Sequence, residues 1–224
     1  VVNLGSGRTA KSVACGREHT CAILDDDTLK CWGGVTGLSS PTSSTSPPST
    51  AVPLGAGVTS VSASMWSTTC ATLTNGGLKC WGNNGNYQVG DGTDTNRATP
   101  VDVDLGTSYK MVSVAVGSAC AILNDGSMKC WGDNDGLITP PSMNNLPVSM
   151  TLPTGLTAKS IVFGSYNGSP KKDTGCVVMN DDSIWCWGYN NYANVGVGSA
   201  VAYVSTPTRL CFPGNCGASS GPPG

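Results

Sequence analysis

The chain has 224 residues, enough for one domain or one repeat array with a buried core. Its formal net charge of -2 and its 12% of charged residues provide no basic surface for nucleic acid or an acidic membrane. With a single histidine, and with no apolar run near the roughly 20 residues of a membrane span, we expect no enzyme, no metal site, no cofactor and no transmembrane segment.

One motif, two cysteines separated by nine residues and followed by Trp-Gly, occurs four times. The four copies are Cys21-x9-Cys31-Trp32-Gly33, Cys70-x9-Cys80-Trp81-Gly82, Cys120-x9-Cys130-Trp131-Gly132 and Cys176-x9-Cys186-Trp187-Gly188. Their second cysteines are 49, 50 and 56 residues apart. A period of about 50 residues with strand patterns predicts an all-β, propeller-like array of four units rather than a helical solenoid.

Each copy of the motif predicts a β-hairpin. In the third copy, a three-residue turn at 124–126 places Leu123 opposite Ser127 and Cys120 opposite Cys130. The last turn residue must adopt the left-handed conformation, which glycine adopts freely and aspartate tolerates. That position holds Asp27, Gly76, Gly126 and Asp182 in the four copies.

The hairpin register predicts a cross-strand disulfide in every repeat. The predicted pairs are Cys21–Cys31, Cys70–Cys80, Cys120–Cys130 and Cys176–Cys186. Zinc is the alternative, but it favours closely spaced Cys-x2-Cys pairs, which the chain lacks. Each bridge closes a short loop and contributes about 2–3 kcal/mol in the entropic model. Eleven regularly spaced cysteines indicate an oxidising, extracellular or cell-surface location.

Two further strands are predicted in the repeats. Small and β-branched residues upstream of the hairpins predict inner strands at 12–16, 60–64, 113–117 and 160–164. Outer strands are predicted at 1–4, 100–105, 147–152 and 206–210. The chain then divides into one domain at 1–210, with repeats at about 1–45, 46–98, 99–145 and 146–204 and a surplus strand at 205–210, and a Cys/Gly/Pro-rich tail at 211–224.

The repeats carry a specific family resemblance. Residues 16–24, with His19-Thr20 before Cys21, followed by Leu-Lys-Cys-Trp-Gly, resemble the repeat of the regulator of chromosome condensation (RCC1-like) family. Residues 81–93 resemble its Trp-Gly-x-Asn and Gly-Gln-Leu-Gly-x-Gly signature. The resemblance covers nearly all of 1–210 and implies four-stranded blades, and His19 in a buried hydrogen bond. The family usually has more blades than four.

Two segments are candidates for glycosylation. The Ser/Thr/Pro tract at 39–50 cannot pack a core and is typical of an O-glycosylated, extended segment, with a flexible unmodified loop as the alternative. Its candidate positions are Ser43, Ser44, Thr45, Ser46 and, as hydroxyproline, Pro47 and Pro48. Asn167 begins an Asn-Gly-Ser sequon.

Tryptophan and tyrosine provide the candidates for ligand contact. The four Cys-Trp-Gly tryptophans are predicted to pack between blades because they repeat with the scaffold. Trp66 and Trp185 depart from that pattern, and together with Tyr87 and Tyr192 they are the predicted ligand contacts.

Three cysteines lie outside the repeated motif. Cys211 and Cys216 are close enough in sequence to form a terminal disulfide, which leaves Cys15. Its position on a predicted inner strand favours a buried, inert thiol. The alternatives are a bond between chains, or a bond to one of the terminal pair.

The sequence favours a non-enzymatic, extracellular structural protein. Disulfides, a pI near 5.2 and the lack of a basic face argue against the exchange-factor and chromatin functions that the resemblance implies for nuclear members. We expect a glycosylated subunit of an extracellular assembly, such as a filament built by self-association. The alternative, matching secreted relatives that act as binding scaffolds, is a monomeric carbohydrate- or protein-binding propeller module.

Overall fold

The structure is a computed structural model that describes residues 2–33, 50–106, 109–114, 117–133, 144–166, 172–198 and 201–210. Every regular element in these residues is a β-strand, arranged as four antiparallel sheets. No helix in this part of the chain is long and apolar enough to cross a membrane. The predicted glycosylation positions Ser43 to Pro48 and Asn167, and the predicted Cys211–Cys216 pair, lie outside the described residues.

Each sheet is one blade. Blade 1 contains β1 (Ala10–Cys15), β2 (His19–Leu24) and β3 (Leu29–Gly33). Blade 2 contains β4 (Val58–Ala63), β5 (Thr68–Leu73), β6 (Leu78–Gly82) and β7 (Arg97–Asp102). Blade 3 contains β8 (Tyr109–Val114), β9 (Ser118–Leu123), β10 (Met128–Gly132) and β11 (Asn144–Met150). Blade 4 contains β12 (Ala158–Tyr166), β13 (Lys172–Met179), β14 (Ile184–Tyr189) and β15 (Tyr203–Arg209).

The hairpin predictions are confirmed in all four blades. Cys120 pairs with Cys130 and Ile122 with Met128, as the third motif copy predicts. The last turn residue is left-handed in every blade, with φ of 64° at Asp27, 79° at Gly76, 82° at Gly126 and 64° at Asp182. The four hairpin disulfides are present, with Cα–Cα distances of 4.1–4.2 Å.

The outer strands pair differently from the prediction. The predicted inner strands become β1, β4, β8 and β12, but each outer strand hydrogen-bonds to the hairpin before it. The predicted surplus strand at 205–210 is therefore part of β15, the outer strand of blade 4, which pairs with β14. Residues 2–4, predicted as a strand, are not one. The blades consequently begin and end later in the chain than the predicted repeats.

The core consists of three apolar clusters, one between each pair of consecutive blades. Trp81 packs in the cluster that contains the first disulfide pair's Cys21. Trp131 and Trp187 pack against Cys70 and Cys120 in the next two clusters. These three tryptophans are at most 1% exposed, which confirms their predicted packing between blades. Each blade thus covers the disulfide of the blade before it.

The four blades form an open array. The innermost strands contact one another in the order β1, β4, β8 and β12, and no extensive contact between the described strands joins β12 back to β1. Cys15 on β1 is exposed and unpaired. The prediction of a buried thiol is therefore wrong, because none of the four described blades packs on that side of β1.

Replacing Trp131 with alanine removes a fully buried ring and the hydrogen bond from its Nε1 to the Gln88 carbonyl oxygen (2.9 Å). We expect the free energy of unfolding to fall by about 3–5 kcal/mol, as for other buried tryptophans. Trp32→Ala is the matched control, because Trp32 has the same position in blade 1 and is only half-buried. Urea unfolding measures both losses, and equal losses would contradict the packing role.

Candidate functional site

The blades have two distinct ends. The loop end contains the turn after the first strand of each blade and the long loop after the third strand. The hairpin end contains the disulfide hairpin turns and the linkers between blades. At the hairpin end, the acidic turn of blade 1 is neutralised by nearby cations, since Arg8 contacts Asp25 and Asp26 and Lys11 contacts Asp27.

A single buried side chain organises the long loop of blade 2. The Asn84 Nδ2 donates to the carbonyl oxygens of Thr93 (2.7 Å) and Thr95 (3.2 Å), and its Oδ1 accepts from the Val89 backbone N–H (2.9 Å). Asn84 is fully buried, so these hydrogen bonds replace the water that it loses. The loop is held in one conformation without any regular secondary structure.

An ion pair supports the same loop. Arg97 on β7 contacts the Asp91 carboxylate, which also accepts from the Thr93 backbone N–H (3.1 Å) and hydroxyl (2.9 Å). Partial burial alone raises the pKa of the Asp91 carboxyl, but the hydrogen bonds from Thr93 and Arg97 outweigh that effect and hold the pKa below its ordinary value. Asp91 is thus a structural anion and not a proton donor near neutral pH.

Blade 4 has an equivalent long loop, which is also held by a buried asparagine but carries tyrosine rings. Asn190 is buried, and its Oδ1 accepts from the Val195 backbone N–H (2.9 Å), as Asn84 does for Val89. The ring of Tyr189 contacts those of Tyr192 and Tyr203 edge to face, with centroids 6.1 Å and 5.6 Å apart. Tyr192 is 76% exposed. This loop therefore presents a braced aromatic ring to solvent.

Three of the four predicted ligand contacts share the loop end. Trp66 lies in the turn between β4 and β5, Tyr87 lies in the blade 2 loop with a φ of 60°, and Tyr192 lies in the blade 4 loop. Trp66 and Tyr87 are half-buried. Trp185 lies at the hairpin end, where its ring packs in the cluster between blades 3 and 4 and its Nε1 donates to Ser183 Oγ (2.8 Å). The structure does not bring Trp185 to the other three.

Asn84 and Asn190 are not among the site residues predicted from the sequence. The available signal was the recurrence of asparagine three residues after Trp81 and Trp187. Such a pattern shows a repeated polar position, but only the structure shows that its side chain closes the loop.

His19 joins two blades. Its Nε2 lies 2.9 Å from the Thr69 hydroxyl of blade 2, and the residue is 5% exposed. The predicted buried hydrogen bond is therefore present. Burial lowers the pKa of His19 because the charged imidazolium loses its hydration. At the corresponding contact between blades 3 and 4, the Asp173 carboxylate accepts from the Ser118 hydroxyl (3.1 Å) and the Gly117 backbone N–H (3.2 Å).

A groove of about 460 Å³ lies at the hairpin end between blades 2 and 3. Its lining includes Asp102, Asp104 and Tyr109 together with glycine backbone. Burial, with a smaller contribution from the charge of Asp102, raises the pKa of the Tyr109 phenol. Among the described residues, the groove presents carboxylates, the Tyr109 phenol and backbone groups.

Comparison with known proteins agrees with this architecture. Models of the regulator of chromosome condensation (RCC1) repeat match residues 10–34, 58–88 and 75–123. These matches support the RCC1-like repeat family for the array. No curated protein sequence matches the chain.

Several solved structures share the fold. Human WBSCR16 superposes with a TM-score of 0.78 at 21% identity, covering 92% of this chain and 54% of that one. Prp20p from Saccharomyces cerevisiae has a TM-score of 0.78 at 17% identity, covering 96% and 53%. The ectodomain of the Physcomitrella patens receptor kinase CR4 has a TM-score of 0.53 at 19% identity, covering 84% and 42%. The chain thus spans about half the length of these structures and has the fold of an RCC1-type β-propeller.

The lowered pKa of His19 predicts a pH-dependent stability. Between the folded and unfolded pKa values the unfolded chain binds more protons, so the free energy of unfolding falls as the pH drops below about 6.5. His19 is the single histidine, and carboxylates titrate lower. Urea unfolding at about pH 7 and pH 5 measures this fall, and His19→Gln removes it. An unchanged pH dependence in the variant would contradict the assignment.

Proposed function

We propose that the chain is a non-enzymatic, extracellular protein-binding module that uses its loop end. The observation that carries the proposal is the pair of loops held by Asn84 and Asn190, which present Tyr87 and Tyr192 on one end of the array. A rigid aromatic ring loses little conformational entropy on binding, and tyrosine and tryptophan are common energetic centres of protein interfaces.

The structural relatives support a protein partner. The Prp20p structure is described with binding properties to Gsp1p and histones, and yeast RCC1 is found bound to Kap60. The present chain differs in charge, because its net charge of -2 provides no basic surface for a polyanion. We therefore expect a different protein partner, contacted mainly through aromatic and hydrogen-bonding groups.

The cysteines support an extracellular setting. Four disulfides join neighbouring strands, and disulfides persist in oxidising compartments outside the reducing cytosol. The O-linked positions at 43–48 and the sequon at Asn167 are consistent with this location and form part of the proposal.

A second candidate is the structural subunit of an extracellular assembly. The observation that favours it is the open array, whose first and last blades each have one side that no other described blade covers. Such sides are covered by another blade in the middle of the array, and a neighbouring subunit is able to cover them in an assembly.

A random peptide library displayed on phage tests the binding module. We expect peptides selected on the wild-type chain to bind Tyr192→Ala at least about tenfold more weakly, because an exposed aromatic centre contributes 1.4 kcal/mol or more. Val13→Ala is the matched control, since Val13 is also an exposed apolar residue (61%) but lies within β1, away from the long loops of blades 2 and 4. Selected peptides that bind both variants equally would contradict the loop-end site.

A glycan array separates a lectin from a protein-binding module. The protein-binding proposal predicts no specific glycan signal. Specific glycan binding that Trp66→Ala abolishes, and that Trp185→Ala leaves intact, would instead establish a carbohydrate site at the loop end and overturn the proposal.

A further inference from the structure

The three contacts between consecutive blades follow one plan. A tryptophan of the later blade lies over the disulfide of the earlier blade, as Trp131 lies over Cys70–Cys80. Trp131 Nε1 also donates to the Gln88 carbonyl oxygen in the loop of blade 2. Gly90 in that loop lies so near the ring that a Cβ would stand 2.5 Å from Nε1. The later blade therefore supplies the ring, and the earlier blade supplies the surface beneath it.

The uncovered side of blade 1, the head face, presents the first half of this contact. It consists of Val13, Cys15 and Trp32, which point to the same side of the sheet. Val13 occupies the position of Val112 in blade 3 and Ile161 in blade 4. Those residues are 6% and 3% exposed beneath a preceding blade, whereas Val13 is 61% exposed. Trp32 is half-buried, while its three equivalents are fully buried.

The uncovered side of blade 4, the tail face, presents the second half. It consists of Val162, Cys176, Val178 and Cys186. Cys176 and Val178 are half-buried, whereas every residue of β5 and β9 is buried. Val162 is 63% exposed. It takes the position of Ser62 in blade 2, whose Oγ accepts from the Val114 backbone N–H of blade 3 (3.1 Å).

We propose that the head face of one copy of this chain docks on the tail face of a second copy. Trp32 then lies over Cys176–Cys186, and its Nε1 donates to the carbonyl oxygen of Asn194, the counterpart of Gln88 in blade 4. Cys15, the counterpart of Val114, meets Val162. The contact repeats a geometry that the chain already forms three times, which makes a second copy the occupant that fits both faces.

The curvature of the array indicates a closed assembly. A head-to-tail contact produces a ring when the rotations close and a filament when they do not. This chain superposes over 96% of its length on 53% of the Prp20p chain, from which we infer that its four blades follow about half of a circuit. Two copies joined head to tail at both junctions close one ring of about eight blades, within the usual range for propellers.

The interface is tested with one charged variant on each face. Trp32→Glu places a charge on the head face, and Val162→Glu places one on the tail face. We expect each variant alone to sediment as a monomer, and the wild type to sediment at twice the monomer mass. Mixing the two restores a dimer, because the intact tail of the first fits the intact head of the second. Leu146→Glu, at an exposed position of similar area on blade 3, leaves the wild-type dimer unchanged.

Other sedimentation results would overturn the proposal. A wild-type chain that stays monomeric across the concentration series excludes docking between copies. A ladder of larger species excludes the closed ring. Monomeric variants that fail to dimerise when mixed show that the two substitutions damage the fold and not two complementary faces, so circular dichroism of each variant accompanies the measurement.

A cysteine variant tests the register of the two faces. Val162→Cys places a thiol opposite Cys15 of the second copy, and mild oxidation produces a covalent dimer on a non-reducing gel. The cross-link disappears when Cys15→Ser is added, and it is absent from Leu146→Cys. A covalent dimer that persists with Cys15→Ser would overturn the register.

The inference extends the structural-subunit candidate, and the docked Trp32 of a second copy reaches Asn194 in the same blade 4 loop that carries Tyr192. Within one copy Trp32 lies on blade 1, far in the array from that loop, so the monomeric Trp32→Glu variant binds the peptides that depend on Tyr192. A wild-type chain that binds peptides but does not dimerise would overturn the docking proposal alone. A chain that dimerises but whose peptides do not depend on Tyr192 would overturn the loop-end proposal alone.

Discussion

The architecture depends on one contact, the packing of a tryptophan from each blade on the disulfide hairpin of the blade before it. The disulfide fixes the two strands that form the surface, and the ring covers sulfur and strand atoms that would otherwise face water. Burial of a tryptophan is among the largest single contributions available to a small sheet. The other buried apolar side chains of the blades lie in the same three clusters, so the array is stabilised mainly by packing between blades.

This arrangement explains where binding surfaces occur. The facing sides of consecutive blades are buried in contacts between blades. Other molecules can therefore bind at the loop end or on the two uncovered sides. At the loop end, Asn84 and Asn190 hold irregular loops in place from inside, so the aromatic groups outside are positioned by a rigid scaffold. On the uncovered sides, Val13 and Val162 are exposed because they occupy positions that lie between two blades in the middle of the array but have no neighbouring blade here. The same repeat therefore forms the core between blades and the two uncovered sides at the ends of the array.

Much of the fold was predictable because local chemistry repeats four times. The hairpin register, the left-handed turn residues and the disulfides follow from spacing and turn chemistry within eleven residues, and all were confirmed. The pairing of the outer strands was not predictable in this way, since a strand between two hairpins is able to pair with either. Exposure of Cys15 depended on whether a blade covers β1, which local pattern does not encode. The site was predicted least well: residue types indicated Tyr192, but only the three-dimensional arrangement separated Trp185 from the loop end.

The order in which the disulfides are reduced tests the central contact most directly. Trp81, Trp131 and Trp187 cover the disulfides of blades 1, 2 and 3, whereas no described tryptophan covers Cys176–Cys186 of blade 4, where Cys176 is half-buried. Limited treatment of dilute protein with a small thiol, followed by alkylation and mass spectrometry, measures the rate at each pair. The account predicts that Cys176–Cys186 is reduced before the three covered pairs. Reduction of any covered pair at the same rate as Cys176–Cys186 would contradict it.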